Sequence, residues 1–170
     1  MYSGTTACLI LLSDNKLYIS NVGDSRAVLG RRIPPKNTTT TTTINVPSAA
    51  VAVVDSLTDD QKPDNPQEKK RLLQSGGHVT PAVVPVQPAR VWATKDCDAL
   101  GLAVSRSLGD VSLKRAGVIA EPVVTEYALS EMIRGAEDDE DPFVILATDG
   151  VWEFVDSGEA VAFVGSVLDG

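Results

Sequence analysis

Along the first part of the chain the hydrophobic positions fall in short runs of strand period. Thr5 to Leu12 is a compact apolar run closed by Ser13-Asp14-Asn15, and Lys16-Leu17-Tyr18-Ile19-Ser20-Asn21-Val22 alternates polar and apolar side chains. That pattern predicts two strands joined by a tight turn. Gly23-Asp24-Ser25 marks a second turn and Arg26 to Arg31 a third strand, so the opening reads as a meander. Pro34-Pro35-Lys36-Asn37 and the threonine run Thr38 to Thr43 then break the pattern with a low-complexity loop, assigned to 34–48. Ala49 to Asp55 is rich in β-branched residues and is expected to return beside Arg26–Arg31.

Helical signals come later. Asn65-Pro66-Gln67-Glu68 predicts a helix start, with Asn65 as N-cap, Pro66 in the first turn and Glu68 completing a capping box. Gly76-Gly77 stops that helix and leaves His78 on a following strand. Pro81, Pro85 and Pro88 make 80–99 an irregular, exposed loop, after which Leu100 to Val104 is apolar again. The acidic block Glu137 to Asp141 reads as a solvated turn. Phe143 to Ala147 reads as a strand buried on both faces. Asp156 with Glu159 gives a second capping signal, and Ala160, Val161, Phe163, Val164, Val167 and Leu168 form the apolar stripe of a last helix. The elements together predict an α/β protein with an antiparallel β core and helices packed outside.

Composition narrows the chemistry. The 170 residues are 43% hydrophobic and 22% charged, enough for one domain with a sizeable core. Fifteen basic residues against 23 acidic ones leave a net charge of −8, which argues against nucleic acid and anionic membrane as main partners. Apolar stretches such as Ala7 to Leu12 are too short to span a bilayer, and no basic segment precedes a long apolar run as in a signal peptide. Cys8 and Cys97 cannot build a disulfide framework, so the expectation is a reducing compartment, the cytoplasm or also the nucleus; the chain is separately expected to be a monomer. One histidine, His78, excludes histidine-clustered metal sites, and no Gly-x-Ser-x-Gly elbow is present. The abundant carboxylates suit hard cations such as Mg²⁺ or Mn²⁺.

Thr148-Asp149-Gly150-Val151-Trp152 is the strongest local candidate. A strand delivers Asp149 at its end and Gly150 lets the chain turn away; Asp149 then either ligates a metal or caps the turn with its own side chain. Asp24 sits in a bend where Gly-Asp is common for backbone reasons, and a second carboxylate near Asp149 would raise cation affinity. Arg106 either pairs locally with Asp110 or binds an anion. Trp92 reads as an exposed loop aromatic fit for contact with a substrate, and Trp152 as a core residue.

These segments, in order, resemble the metal-dependent protein serine/threonine phosphatases of type 2C, the PPM family. Ser3-Gly4-Thr5-Thr6-Ala7 resembles the small-residue opening of a core strand, and Asn21 to Arg26 matches the Asn-x-Gly-Asp-Ser-Arg motif. Asp60-Gln61-Lys62-Pro63 resembles Asp-His-Lys-Pro, with Gln61 where histidine is usual. Glu68, Arg71 and Gly76-Gly77 fit the helix that follows, and Leu102 to Asp110 and Phe143 to Trp152 are close to later motifs.

The resemblance implies an antiparallel β-sandwich flanked by helices, here incomplete, and the hydrolysis of phosphoserine and phosphothreonine in protein substrates. It implies two or three Mn²⁺ or Mg²⁺ ions that neutralise the phosphate and lower the pKa of a bound water. By the same resemblance Asp149 is a metal ligand, Asp24 helps hold a weaker third ion, and Glu153 stands where aspartate is usual. Residues 80–99 correspond to a flap beside the cleft, with Trp92 and Arg106 as substrate-binding candidates. No residue is assigned as catalytic. The family's Asp-Gly-His-Gly motif, its earlier phosphate-gripping arginine and its late Asp-Asn motif have no counterpart, so 3–170 is expected to be a partial domain. The alternative is a non-catalytic pseudophosphatase or phosphoprotein-binding module.

Overall fold

The computed structural model describes residues 3–33, 50–98, 100–132 and 141–168. The Thr-rich loop at 34–48 and the acidic residues Glu137 to Glu140 lie outside the described residues. In chain order the elements are β1 (Gly4–Thr5), β2 (Ala7–Ser13), β3 (Lys16–Val22), β4 (Arg26–Ile33), β5 (Ala50–Ser56), α1 (Pro66–Gln74), β6 (His78–Thr80), β7 (Arg90–Trp92), β8 (Leu108–Gly109), a 3₁₀ segment (Val111–Ala116), β9 (Val123–Ala128), α2 (Leu129–Met132), β10 (Asp141–Ala147), α3 (Asp149–Trp152) and α4 (Ser157–Leu168).

Asp14 and Asn15 both take positive φ, 50° and 64°, as a two-residue hairpin turn requires. They join β2 to β3, and the sheet continues in the order β2–β3–β9. The described residues group into two compact units, one drawn from 1–11, 19–25 and 59–125, the other from 12–18, 26–58 and 126–170. The chain passes from one unit to the other within each of β2, β3 and β9.

In the first unit β1 pairs antiparallel with β8, and β6 with β7. Its core is Leu72 of α1, Val79 of β6, Val91 of β7 and Leu113, Ala116 and Val118, with Ala93 and Leu102 against it. Each fully buried Leu or Val there contributes roughly 1.5–3 kcal/mol. The pairing of β7 with β6 corrects the reading of 80–99 as wholly irregular: alternation in Arg90-Val91-Trp92 buries Val91 completely. Gly77 is a glycine by necessity, since a Cβ would lie 2.4 Å from the Ala116 carbonyl oxygen.

In the second unit β4 is the middle strand of the sheet β10–β4–β5, antiparallel on both sides, and the expected return of the strand after the Thr-rich loop is met by β5. Ala27, Val28 and Leu29 of β4 are buried with Ala160 and Val161 of α4, which packs over β5 and β4. Gly30 admits this packing, because a Cβ would come within 2.7 Å of both Phe143 and Val161. Two expectations are corrected here. Among the described residues β10 is an outer strand, not one buried on both faces, and Leu146 is 43% exposed. The buried face of α4 is Ala160, Val161 and Gly165; small residues let the helix sit close to the sheet, and Phe163, Val167 and Leu168 face outward. The start of α4 is as expected: the Asp156 N–H donates to Glu159 Oε2 (3.0 Å) and the Glu159 N–H to Asp156 Oδ1 (2.9 Å).

Candidate functional site

In the first unit, β3 runs into a turn that fixes Asp24. Gly23 takes φ 104°, and a Cβ there would lie 2.2 Å from Thr6 Cγ2, so only glycine fits. Thr6 Oγ1 and Ser25 Oγ share a hydrogen bond of 2.8 Å across the same turn. Gln61 grips it from the other side: the Gly23 N–H donates to Gln61 Oε1 (2.6 Å), Gln61 Nε2 donates to the Asn21 carbonyl (3.0 Å), and the Gln61 N–H donates to the Gly23 carbonyl (3.0 Å). The turn leaves Asp24 only 4% exposed, with its carboxylate in an ion pair with Lys62 Nζ.

Beside this turn lies a second polar cluster, built on α1. Asn65 caps the helix as expected, its side chain accepting from the Gln67 N–H (3.3 Å), and Pro66 opens the first turn. Glu68 does not complete a capping box, because the Asn65 N–H is taken by the Lys62 carbonyl (3.1 Å). Instead the Glu68 carboxylate is buried and accepts from Arg71 Nη1 (2.9 Å) and Nη2 (2.8 Å), and from Arg106 Nε (3.0 Å) and Nη2 (2.7 Å). Ser105 Oγ stands 2.5 Å from Glu68 Oε2 and 2.8 Å from the Gln61 carbonyl. Burial pushes the Glu68 carboxyl up, and the hydrogen bonds from Arg106, Arg71 and Ser105 with the charge of Arg71 outweigh it, holding it at about 2. Glu68 in turn raises Arg106 above its ordinary value.

The second unit presents Asp149. Thr148 is extended (φ −85°, ψ 173°) and gives α3 no side-chain cap; Asp149 follows at once, exposed, and Glu153 stands one turn on, also exposed. Trp152 anchors the turn: its Nε1 donates to the Ala147 carbonyl (2.8 Å) and the Arg26 guanidinium lies 5.3 Å from its ring centroid. Arg26 Nη1 also donates to Ser157 Oγ (3.1 Å), so one side chain of β4 touches both α3 and the start of α4. Trp152 is thus half-buried at the rim rather than within the core. Asp149 does not cap the turn with its own carboxylate, which makes no hydrogen bond among the described residues.

Of the sequence candidates, Asp24, Arg106 and Trp92 fall in the first unit and Asp149 and Glu153 in the second. Arg106 pairs with Glu68 rather than Asp110, and its Nη1 donates to the Glu121 carbonyl (2.9 Å). Trp92 is not an exposed loop residue: it ends β7 half-buried, its Nε1 donates to Thr80 Oγ1 (3.0 Å), and its ring lies so flat on Gly101 that a Cβ there would come within 2.7 Å. Gln61, Lys62 and Glu68 are the site residues that spacing alone misses. Among the described residues, no three His, Cys, Asp or Glu side chains converge as a metal site.

A family model described as protein phosphatase 2C matches residues 1–170. "Probable protein phosphatase 2C 64" of Oryza sativa subsp. japonica is 40% identical over 164 residues, covering 96% of this chain and 33% of that protein. "Probable protein phosphatase 2C 73" of Arabidopsis thaliana is 36% identical over 168 residues, covering 99% of this chain and 39% of its own length. The chain thus spans roughly a third to two fifths of the curated relatives it matches. Among solved structures, a serine-threonine phosphatase 2C from Toxoplasma gondii superposes with a TM-score of 0.66 at 23% identity, covering 95% of this chain and 46% of that one, a likeness of fold. A phosphatase from a pathogenic strain of the same organism gives 0.58 at 26% identity, covering 91% and 38%.

Proposed function

The chain belongs to the protein phosphatase 2C family, and from that premise we propose that the protein of which it forms the matched portion hydrolyses phosphoserine and phosphothreonine esters in other proteins. The observation that carries the proposal is the extent of the match, which runs through the Asn21–Arg26 and Thr148–Trp152 motifs without leaving any part of the chain unaccounted for.

The family is metal-dependent, with Mg²⁺ or Mn²⁺ supplying charge neutralisation and an activated water. In this reading Asp149 is a metal ligand, with Glu153 one turn away, and their exposure and lack of side-chain partners among the described residues suit that role. Two carboxylates from one turn are short of the oxygens that a two-ion centre demands, and Asp24 is already neutralised by Lys62. The residues present therefore do not fit a complete binuclear centre. Residues 3–170 are read as part of the catalytic domain and 80–99 as its flap. The flap would meet phosphoprotein substrates through its outward-facing residues rather than through Trp92 or Arg106, which are held by Thr80 and Glu68. Cys8 and Cys97 are both free, which supports a reducing compartment, cytoplasm or nucleus, and the net charge of −8 supports a monomer that binds neither nucleic acid nor anionic membrane.

The test is hydrolysis of p-nitrophenyl phosphate and a phosphothreonine peptide in Mn²⁺, by this chain alone and by a chimera in which it replaces the matching portion of the rice relative. Turnover by the chimera that Asp149→Asn reduces at least a hundredfold supports the proposal. Turnover indifferent to Asp149→Asn overturns the metal assignment, and an inactive but folded chimera overturns the activity and leaves a binding module.

A further inference from the structure

We propose that Lys62 is the resident cation of Asp24, so that this carboxylate is closed to divalent ions in this chain. The inference does not depend on the reaction assigned above; it concerns one ion pair inside the first unit.

Asp24 is 4% exposed, and the charged group facing it is the Lys62 ammonium, whose side chain keeps 32% of its surface in solvent. The pairing is built by the backbone. Gln61 locks the Asn21–Gly23 turn through both ends of its amide, and Lys62 is the next residue, so the segment between β5 and α1 that grips the turn also delivers the ammonium. Beyond Lys62 the chain is fixed again: Pro63 is fully buried, and the Lys62 carbonyl accepts from the Asn65 N–H at the start of α1. Both partners are therefore held in place from their own backbones, which lowers the entropy lost in bringing a long side chain to a fixed carboxylate.

A divalent ion at Asp24 would have to take the lysine's place and keep most of its own waters. Mg²⁺ and Mn²⁺ take about six oxygen ligands and part reluctantly from water, and a single carboxylate with one open edge supplies two at most. Glu68, the nearest other buried carboxylate of this unit along the chain, is saturated by Arg71, Arg106 and Ser105. An entering ion would have to expel the ammonium and compete with a charge already tethered beside the site. The lysine head is exposed enough to be displaced in principle, which makes the competition measurable.

The experiment is Mn²⁺ titration of this chain followed by the electron paramagnetic resonance signal of free Mn²⁺, for wild type, Asp24→Asn, Lys62→Met and the double variant. Asp24→Asn is expected to leave the wild-type Mn²⁺ affinity within twofold. Lys62→Met is expected to tighten binding at least tenfold, and the double variant to lose that gain. A drop in affinity on Asp24→Asn alone, or no gain in a folded Lys62→Met, overturns the proposal. Should Lys62→Met fail to fold, paramagnetic broadening in the wild type decides: Gly23 and Ser25 amide resonances unbroadened by Mn²⁺ support the resident lysine, and selective broadening of those two refutes it.

Discussion

Glu68 and Arg106 meet fork to fork, Nε on Oε2 at 3.0 Å and Nη2 on Oε1 at 2.7 Å, across 38 positions of sequence. The same carboxylate holds Arg71 one helical turn away, and Arg71 reaches on to the Gly117 and Ser105 carbonyls. Three chain segments are thus tied to one buried charge. Two arginines on one carboxylate leave no lone pair of Glu68 idle, which is the condition under which a buried ion group is tolerated.

Glu68→Gln is expected to destabilise the chain by about 3–5 kcal/mol, because two arginines lose their counter-charge in a buried setting. The pH dependence follows from the carboxyl being held at about 2 against an ordinary value of 4.5. A depressed carboxylate adds stability that is fully present above about 4.5 and is lost as pH falls toward 2. The size is about 1–3 kcal/mol once solvent screening at the rim of the cluster is allowed for. Urea midpoints at pH 7, 4 and 3 check it: wild type is expected to lose stability faster than Glu68→Gln over that range, and parallel curves would contradict the assignment.

Gln61 carries a second expected effect. Removing its amide strands the Gly23 N–H and the Asn21 carbonyl, each worth roughly 1–3 kcal/mol when buried without a partner. Gln61→Glu keeps the acceptor for Gly23 but sets a buried anionic oxygen against the Asn21 carbonyl, so it is expected to cost at least as much as Gln61→Ala. Denaturation curves give the order, and amide exchange at Gly23 is expected to accelerate by at least an order of magnitude in Gln61→Ala while staying slow in Gln61→Glu.

Arg26→Met removes the guanidinium from the Trp152 ring and from Ser157. A partly buried cation–π contact and one hydrogen bond together amount to about 1–2 kcal/mol. The chain has two tryptophans, so the emission change on Arg26→Met is expected to vanish in a Trp152→Phe background and to survive in Trp92→Phe. If the Trp92→Phe background silences it instead, the contact is misassigned.

Local rules carried β2 to β5, β10 and the starts of α1 and α4. Asp14-Asn15, Asn65-Pro66 and Asp156 with Glu159 act within a few residues, and each behaves as its chemistry dictates. What sequence could not show was partnership over distance. Glu68 has the spacing of a capping residue, yet two arginines and Ser105 claim it, while the Asn65 N–H finds Lys62. Trp92 sits among prolines, yet strand pairing and Gly101 cover it. Phe163 obeys the helical period, but the small residues Ala160 and Gly165 bring α4 to the sheet along a different line. Gln61 offered one signal, an amide in the histidine's place, and that signal does not say which backbone groups the amide would grasp.

The pairing of Gly4–Thr5 with Leu108–Gly109 has a consequence for biosynthesis. Ser3 also accepts from the Asp110 N–H, so the opening residues find their partners only on the order of a hundred residues later. During translation the backbone of Gly4 and Thr5 must therefore wait, unpaired, until that distant segment clears the ribosomal tunnel. Slowing synthesis just before Leu108 would lengthen the time for which Gly4 and Thr5 stay unpaired.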